Sequence, residues 1–182
     1  MIRYGVRLSS ITIDADGSPS GYIAWYNHST GEPGIKILRP PARNEKYGVQ
    51  RMEMLAIYFA IVKNQRQISM LASSQKRKQI VVNIRSDSKT CIEQLQGISK
   101  VRDAVLQRIC TSIRKLLDRM PYMIIFNYLE RARNHAGLLL ERRRRKEIEE
   151  DLMHRYQKQY YYSSASGFMM MNHYYSGSLA TA

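Results

Sequence analysis

Cysteine is close to absent from this chain, with Cys91 and Cys110 the two thiols among 182 residues. Both fall in apolar-patterned helical stretches, which excludes a disulfide framework and a thiolate zinc site. Histidine is also sparse, and His28, His135, His154 and His173 are scattered without ligand spacing. There is no glycine-rich phosphate loop and no Ser-His-Asp arrangement. No window approaches the ~18 to 20 apolar residues of a membrane span, and the amino terminus lacks a long apolar segment, so an intracellular, cytoplasmic protein without membrane contact is expected. Acids are outnumbered as well: 15 Asp and Glu face 29 Lys and Arg, for a net charge of +14. An excess of that size draws a protein to polyanions and makes the binding salt-sensitive.

Because carboxylates are few, their settings are informative. Residues 6 to 14, VRLSSITID, are apolar and β-rich, and the DADGSPSG that overlaps their end carries Asp-Gly, Pro and Gly, turning the chain back into YIAWYN. Asp14 and Asp16 therefore lie at the end of a strand or in its turn. The strand reading favours Asp14 as the acid that faces a site, with Asp16, just before Gly17, as a turn residue and as the alternative. Glu53 lies in YGVQRMEMLAIYFAIVKNQ, where Val49, Met52, Leu55, Ala56, Phe59 and Ala60 recur at helical spacing. A glutamate beside that stripe looks inward near the start of the helix. Ile80, Val81, Val82 and Ile84 form a buried strand followed by Asp87 and an amphipathic helix. Asp87 thus occupies the carboxyl end of a strand, where open α/β sheets build their sites.

The cations have a pattern too. In KVRDAVLQRICTSIRKLLDRM, an apolar stripe of Val101, Val105, Ile109, Ile113 and Leu117 leaves Arg102, Arg108, Arg114, Lys115 and Arg119 off it. The run Arg142 to Lys146 reads equally as a solvated helix face or as a contact for nucleic acid. Trp25 and Tyr22, on the second strand, read as core or sheet-surface residues rather than base-stacking groups.

The fragments IDADGSPSGY, QRMEMLAI and IRSDSKTCIEQL resemble, in that order, the first-strand, first-helix and fourth-strand motifs of ribonucleases H. The resemblance covers residues 4 to 141, and its most specific part is Arg-Met-Glu opening an apolar helix followed by Ser-Asp-Ser closing an apolar strand. It implies hydrolysis of the RNA strand of an RNA–DNA hybrid by two divalent ions, Mg2+ or Mn2+. Phosphodiester cleavage puts negative charge on both the attacking and the leaving oxygens, and paired ions stabilise both. Oxygen donors suit a hard cation. Under the resemblance Asp14 would bridge the ions, Asp87 would hold the nucleophile-side ion, and Glu53 would anchor the other and orient substrate.

The family's closing motif, an Asn or His running into Ala-Asp at the start of the last helix, is kept in part. Asn134, His135 and Ala136 match, while Gly137 and Leu138 stand where the aspartate is expected. Glu141 is the nearest acid on that helix and the candidate fourth ligand; without it the site runs on three carboxylates, or has lost activity. His135 either assists proton transfer and product release or caps the helix. Asn134, Arg102, Arg108, Arg114 and Lys115 are the expected nucleic-acid contacts.

The element order βββαβαβα implies an α/β fold, a mixed β-sheet flanked by helices as in ribonucleases H. Residues 66 to 78 read as a short helix and a basic loop lengthening the link before the fourth strand. One domain over residues 1–146 is expected, followed by a charged helical extension and a Tyr-, Ser-, Gly- and Met-rich, disordered tail over 147–182. A monomer is expected. Two other readings stay open: a nuclease of the Holliday-junction resolvase type, which the spacing from Ile13-Asp14 to Gly21-Tyr22 also resembles, and a non-catalytic nucleic-acid-binding module.

Overall fold

The computed structural model describes residues 9–74 and 80–176, with the side chains of residues 72, 74 and 158–176 outside the described set. Three antiparallel strands come first: β1 (Ser9–Gly17), β2 (Tyr22–Asn27) and β3 (Glu32–Ile37). Helix α1 (Gly48–Ser74) leads to β4 (Ile80–Ser86), helices α2 (Lys89–Leu95) and α3 (Ala104–Leu117) lead to β5 (Met123–Tyr128), and a short 3-10 turn, Arg131–Arg133, precedes α4 (His135–Ser176). The sheet order is β3-β2-β1-β4-β5, with β4 parallel to both β1 and β5. The expected mixed sheet and element order are therefore present.

Strand β1 is central, and its period of two explains what each face carries. Ile11, Ile13 and Ala15 point into the main core with Met54, Ile57 and Ile61 of α1, Val82 and Ile84 of β4, and Leu106 and Ile113 of α3. The alternate positions put Asp14 and Asp16 on the opposite face, where Ala136 and Leu140 of α4 pack with Ala24. Side chains at i and i+2 of one strand thus present two acids to different depths of the same face.

Two expectations about α1 change. Val49 is 50% exposed, whereas Met52, Ala56 and Ala60 of the expected stripe are buried, and Met54, Ile57, Ile61 and Ile68 are buried beside them. The segment is apolar around most of its circumference between Met52 and Ile61, so spacing alone does not choose the face. Residues 66–74 continue the same helix instead of forming a separate one. No glycine or proline interrupts residues 49–74, and Ile68 anchors the last turns in the core. The expected basic loop falls largely on residues 75–79, outside the described ones. Arg51 of α1 donates to both carboxylate oxygens of Asp103, at 2.9 and 2.7 Å, and Asp103 caps α3 by accepting from the Leu106 N–H. The Arg51 guanidinium accordingly holds the Asp103 carboxyl down at about 2.

Gly17 fixes how closely α1 approaches the sheet. A Cβ there would lie 2.4 Å from the carbonyl carbon and oxygen of Met52 and 2.6 Å from the Glu53 nitrogen, all backbone atoms. Gly17→Ala is expected to cost about 3 kcal/mol or more, since backbone cannot rotate away as a side chain can. Chemical denaturation measures this, and an unchanged midpoint would contradict the close approach.

The chain divides into compact units Met1–Glu141 and Arg142–Ala182. The first holds the sheet and its helices. The second carries the rest of α4, to Ser176, where the alternating charge blocks form i,i+4 pairs, Arg143 with Glu147 at 3.0 Å and Arg155 with Asp151 at 2.7 Å. The low-complexity tail expected beyond it falls mostly on side chains and residues outside the described set. Among the described residues no helix is long and apolar enough to cross a membrane.

Candidate metal centre

Parallel pairing aligns two acids. Asp14 pairs with Arg85 in the β1–β4 register, so two residues further on Asp16 falls level with Asp87 just past the end of β4. From the side, the first turns of α1 bring Glu53 to the same point, where the Gly17 N–H donates to its Oε2 at 3.2 Å. Asp16, Glu53 and Asp87 each bring a carboxylate oxygen within 4.8 Å of the others. All three are half-buried.

Their crowding shows in their protonation. Burial first, then the Asp87 charge and a hydrogen bond with Asp87, push the Asp16 carboxyl up to about 7, against the pull of Arg131 and the Gly17 N–H. Burial, followed by the charges of Asp16 and Asp87, holds Glu53 well above the usual carboxylate range. Three acids crowded this way lack positive charge at their centre, and an oxygen-only donor set is what a hard divalent cation accepts. The residues therefore fit such an ion.

A sign for pH follows. Because the folded-state pKa of Asp16 lies above its value of 3.8 in a free chain, this group favours the fold most below about 4 and progressively less as pH rises through about 7. A cation must displace its proton. Mg2+ affinity is expected to rise between about pH 5.5 and 7 and to level off above, with proton release on binding. Calorimetric titration in buffers of different ionisation enthalpy checks this, and pH-independent affinity would contradict it.

Asp14, favoured from sequence as the first ligand, is not in this group. It is fully buried, accepting from Arg85 Nε at 2.7 Å, from the His135 backbone N–H at 3.1 Å and lying 2.8 Å from His28 Nε2. Asp16 is the residue brought to Glu53 and Asp87. The physical reason is that β1 does not end at Asp14: Asp16 pairs with Ala24 and Gly17 with Ile23, and the turn is displaced to Ser18–Gly21, where Gly21 adopts φ +90°. Asp16 is thus a strand residue, not a hairpin tip.

The other expected site residues are distributed as follows. Asn134 is fully buried and donates to Asp87 Oδ1 at 2.9 Å and to the Ala15 carbonyl at 3.2 Å, so its amide braces the acids from within and is closed to an external strand. His135, half-exposed, joins Asp14 and His28 rather than the trio. Those two histidines, read from sequence as scattered, meet across the fold. Glu141 is paired with Arg131 at 3.5 Å and stands outside the trio. A Cβ on Gly137 would sit 3.4 Å from Asp16 Oδ2, so that glycine, at one of the two positions where an acid was expected, does face the centre. Arg108, Arg114 and Lys115 are exposed on α3, and Arg102 precedes the helix, whose cap is Asp103. Arg131 is the residue missed: on the 3-10 turn, its charge lowers both Asp16 and Glu53. The basic segment ERAR after the last strand was the visible signal.

Solved structures share this fold. The chain is similar to ribonuclease H1 from the halophilic archaeon Halobacterium salinarum NRC-1, at 18% identity over 70% of this chain and 91% of that one, with a TM-score of 0.55. It is similar to LC11-RNase H1 in complex with an RNA/DNA hybrid, at 19% identity over 69% and 88%, TM-score 0.55. It is also similar to the N-terminal RNase H domain of a Mycobacterium tuberculosis protein, at 16% identity over 69% and 85%, TM-score 0.51. No protein-family model and no curated protein sequence matches the chain. At these identities the likeness establishes a ribonuclease H-like fold.

Proposed function

We propose that this chain is a divalent-metal-dependent nuclease that hydrolyses the RNA strand of RNA–DNA hybrids. The observation that carries the reading is the convergence of Asp16, Glu53 and Asp87 from the ends of two parallel strands and the start of α1. A neighbour of the same fold is bound to an RNA/DNA hybrid, which supports the choice of substrate. Asp16, Glu53 and Asp87 would hold Mg2+ or Mn2+, two ions in the reading favoured here. When bound, such ions lower the pKa of an attacking water and neutralise charge on the phosphate.

The chain's own residues have separable tasks in this reading. Asn134 fixes the Asp87 carboxylate through its amide, so that the ligand does not swing toward solvent. The Gly17 N–H does the same for Glu53. Arg131 supplies positive charge at the open side, where a phosphate would approach. The exposed Arg108, Arg114 and Lys115 of α3, with Arg102 before it, give a basic surface for phosphates of the uncut strand, and the net charge of +14 gives long-range attraction.

Gly137→Asp tests the departure at the fourth position. The Cβ of the new side chain would lie 3.4 Å from Asp16 Oδ2, so its carboxylate would enter beside the acidic centre. Mg2+ is expected to bind about tenfold more tightly, because four acids attract it more strongly than three, and the metal-free protein is expected to melt earlier. Unchanged affinity would remove Gly137 from the edge of the centre.

The deciding experiment is cleavage of a labelled RNA–DNA hybrid with Mg2+, run beside duplex DNA, a four-way junction, and Glu53→Gln and Asp87→Asn. Hybrid cleavage lost in both variants is expected. Cutting of the junction alone would favour a resolvase, and salt-sensitive binding without metal-dependent cleavage would leave a binding module.

A further inference from the structure

We propose that Asp14, His28 and His135 form a second metal site, of the zinc class, separate from the acidic centre. Asp14 Oδ2, an imidazole nitrogen of His28 and one of His135 lie within 4.8 Å of one another. His28 Nε2 is 2.8 Å and His135 Nδ1 3.4 Å from that single oxygen. One carboxylate and two imidazoles from β1, the residue after β2 and the start of α4 form a donor set suited to a borderline ion such as Zn2+ rather than to Mg2+.

The hydrogen bonding around His28 points to such a ligand independently. Its Nε2 faces Asp14 Oδ2 at 2.8 Å, which calls for a proton on the nitrogen, and Arg85 Nη2 at 2.9 Å, which calls for a lone pair. One ring nitrogen does not serve both. An ion between Nε2 and Oδ2 uses the lone pairs of both, while Arg85 keeps its 2.7 Å bond to the other oxygen, Oδ1. Arg85 then acts as an outer partner that fixes the carboxylate, at the cost of a positive charge beside the ion.

The rings are already oriented. Tyr26 stacks on His135 with centroids 5.1 Å apart, and His28 stands edge-on to both, at 4.9 and 4.7 Å. Asp14 is fully buried, whereas the side chains of His28 and His135 are 28% and 50% exposed, which leaves a route in and room for water as a further ligand. A bound ion would join β1, the β2–β3 turn and α4. Through the backbone of α4 it would clamp Asn134 and Gly137, which touch Asp87 and Asp16.

The test is Zn2+ calorimetry and Co2+ visible absorption on the full-length chain, in excess Mg2+ and without nucleic acid, so that the result does not depend on whether the chain is a nuclease. One ion per chain, a tetrahedral-type Co2+ spectrum and a higher melting temperature with Zn2+ are expected. His28→Ala and His135→Ala should each weaken uptake about tenfold or more, while Asp16→Asn leaves it unchanged. Circular dichroism of the metal-free variants confirms that each is folded, and His28→Gln and His135→Gln repeat the comparison with similar side-chain volume. No uptake in excess Mg2+, or uptake that survives both histidine changes and therefore uses His154, His173 or the thiols, would overturn the proposal.

Discussion

Asp16→Asn is expected to abolish hybrid cleavage and at the same time to raise the melting temperature of the metal-free protein. The loss of rate should be about 10³-fold or greater, at least that of removing one preorganised electrostatic group from a transition state. Stability moves the other way because burial first, and then repulsion by the Asp87 charge, push the Asp16 carboxyl up to about 7, so that ionised Asp16 weakens the fold. A neutral amide of the same shape relieves that repulsion. After discounting for solvent screening, the gain near pH 8 is on the order of 1–2 kcal/mol. For a chain of this size that is roughly 3–6 °C. Added Mg2+ should then stabilise the parent protein more than the variant, since the variant has lost a ligand. Activity is read on labelled hybrid and stability by calorimetry with EDTA and with Mg2+. Parent-level cleavage by Asp16→Asn would remove this residue from the centre.

The sequence made Glu53 and Asp87 legible for a reason that does not extend to the first acid. Each sits beside an unbroken apolar run whose end marks where the side chain emerges, and the element boundaries hold: α1 begins at Gly48, and β4 ends at Ser86. At Asp14 and Asp16 the choice depended on where a strand stops. Asp-Gly looks like a turn, but hydrogen bonding to β2 carries the ladder through Gly17, and nothing local to DADGSPSG records how far the partner strand reaches. The cluster around Asp14 was less legible still, because it joins residues as far as 121 positions apart. Tertiary pairing brings those residues together, and no ligand spacing exists for a pattern to detect. Asn134 was visible as part of a motif, but its burial was not, since a polar residue before a helix looks the same whether it meets solvent or another carboxylate. The length of α1 was underestimated because the polar stretch around Gln65–Gln67 resembles a helix end, whereas Ile68 carries the core beyond it.

Asp14→Ala is expected to be the most destabilising single change on this face of the sheet, by about 3–5 kcal/mol, the cost of breaking a buried ion pair from one side. The carboxylate has no exposed surface, and its removal leaves Arg85 without its 2.7 Å partner and the first N–H of α4 without its acceptor. The second loss acts on the start of α4, so the amides near His135 should exchange faster than those of the β1–β4 ladder. Asp14→Asn should cost less, because its carbonyl still accepts from one of the two donors while its amide faces the other. The direction of these effects separates two roles that sequence alone leaves open. An acid of the Asp16–Glu53–Asp87 group, crowded by like charges, destabilises the metal-free protein, so its neutralisation raises the melting temperature, as argued for Asp16. A carboxylate that neutralises a guanidinium and caps a helix does the reverse. Denaturation of the Asp14 and Asp16 variants in EDTA therefore reads their roles from opposite signs, and a stabilised Asp14→Asn would return Asp14 to the acidic centre.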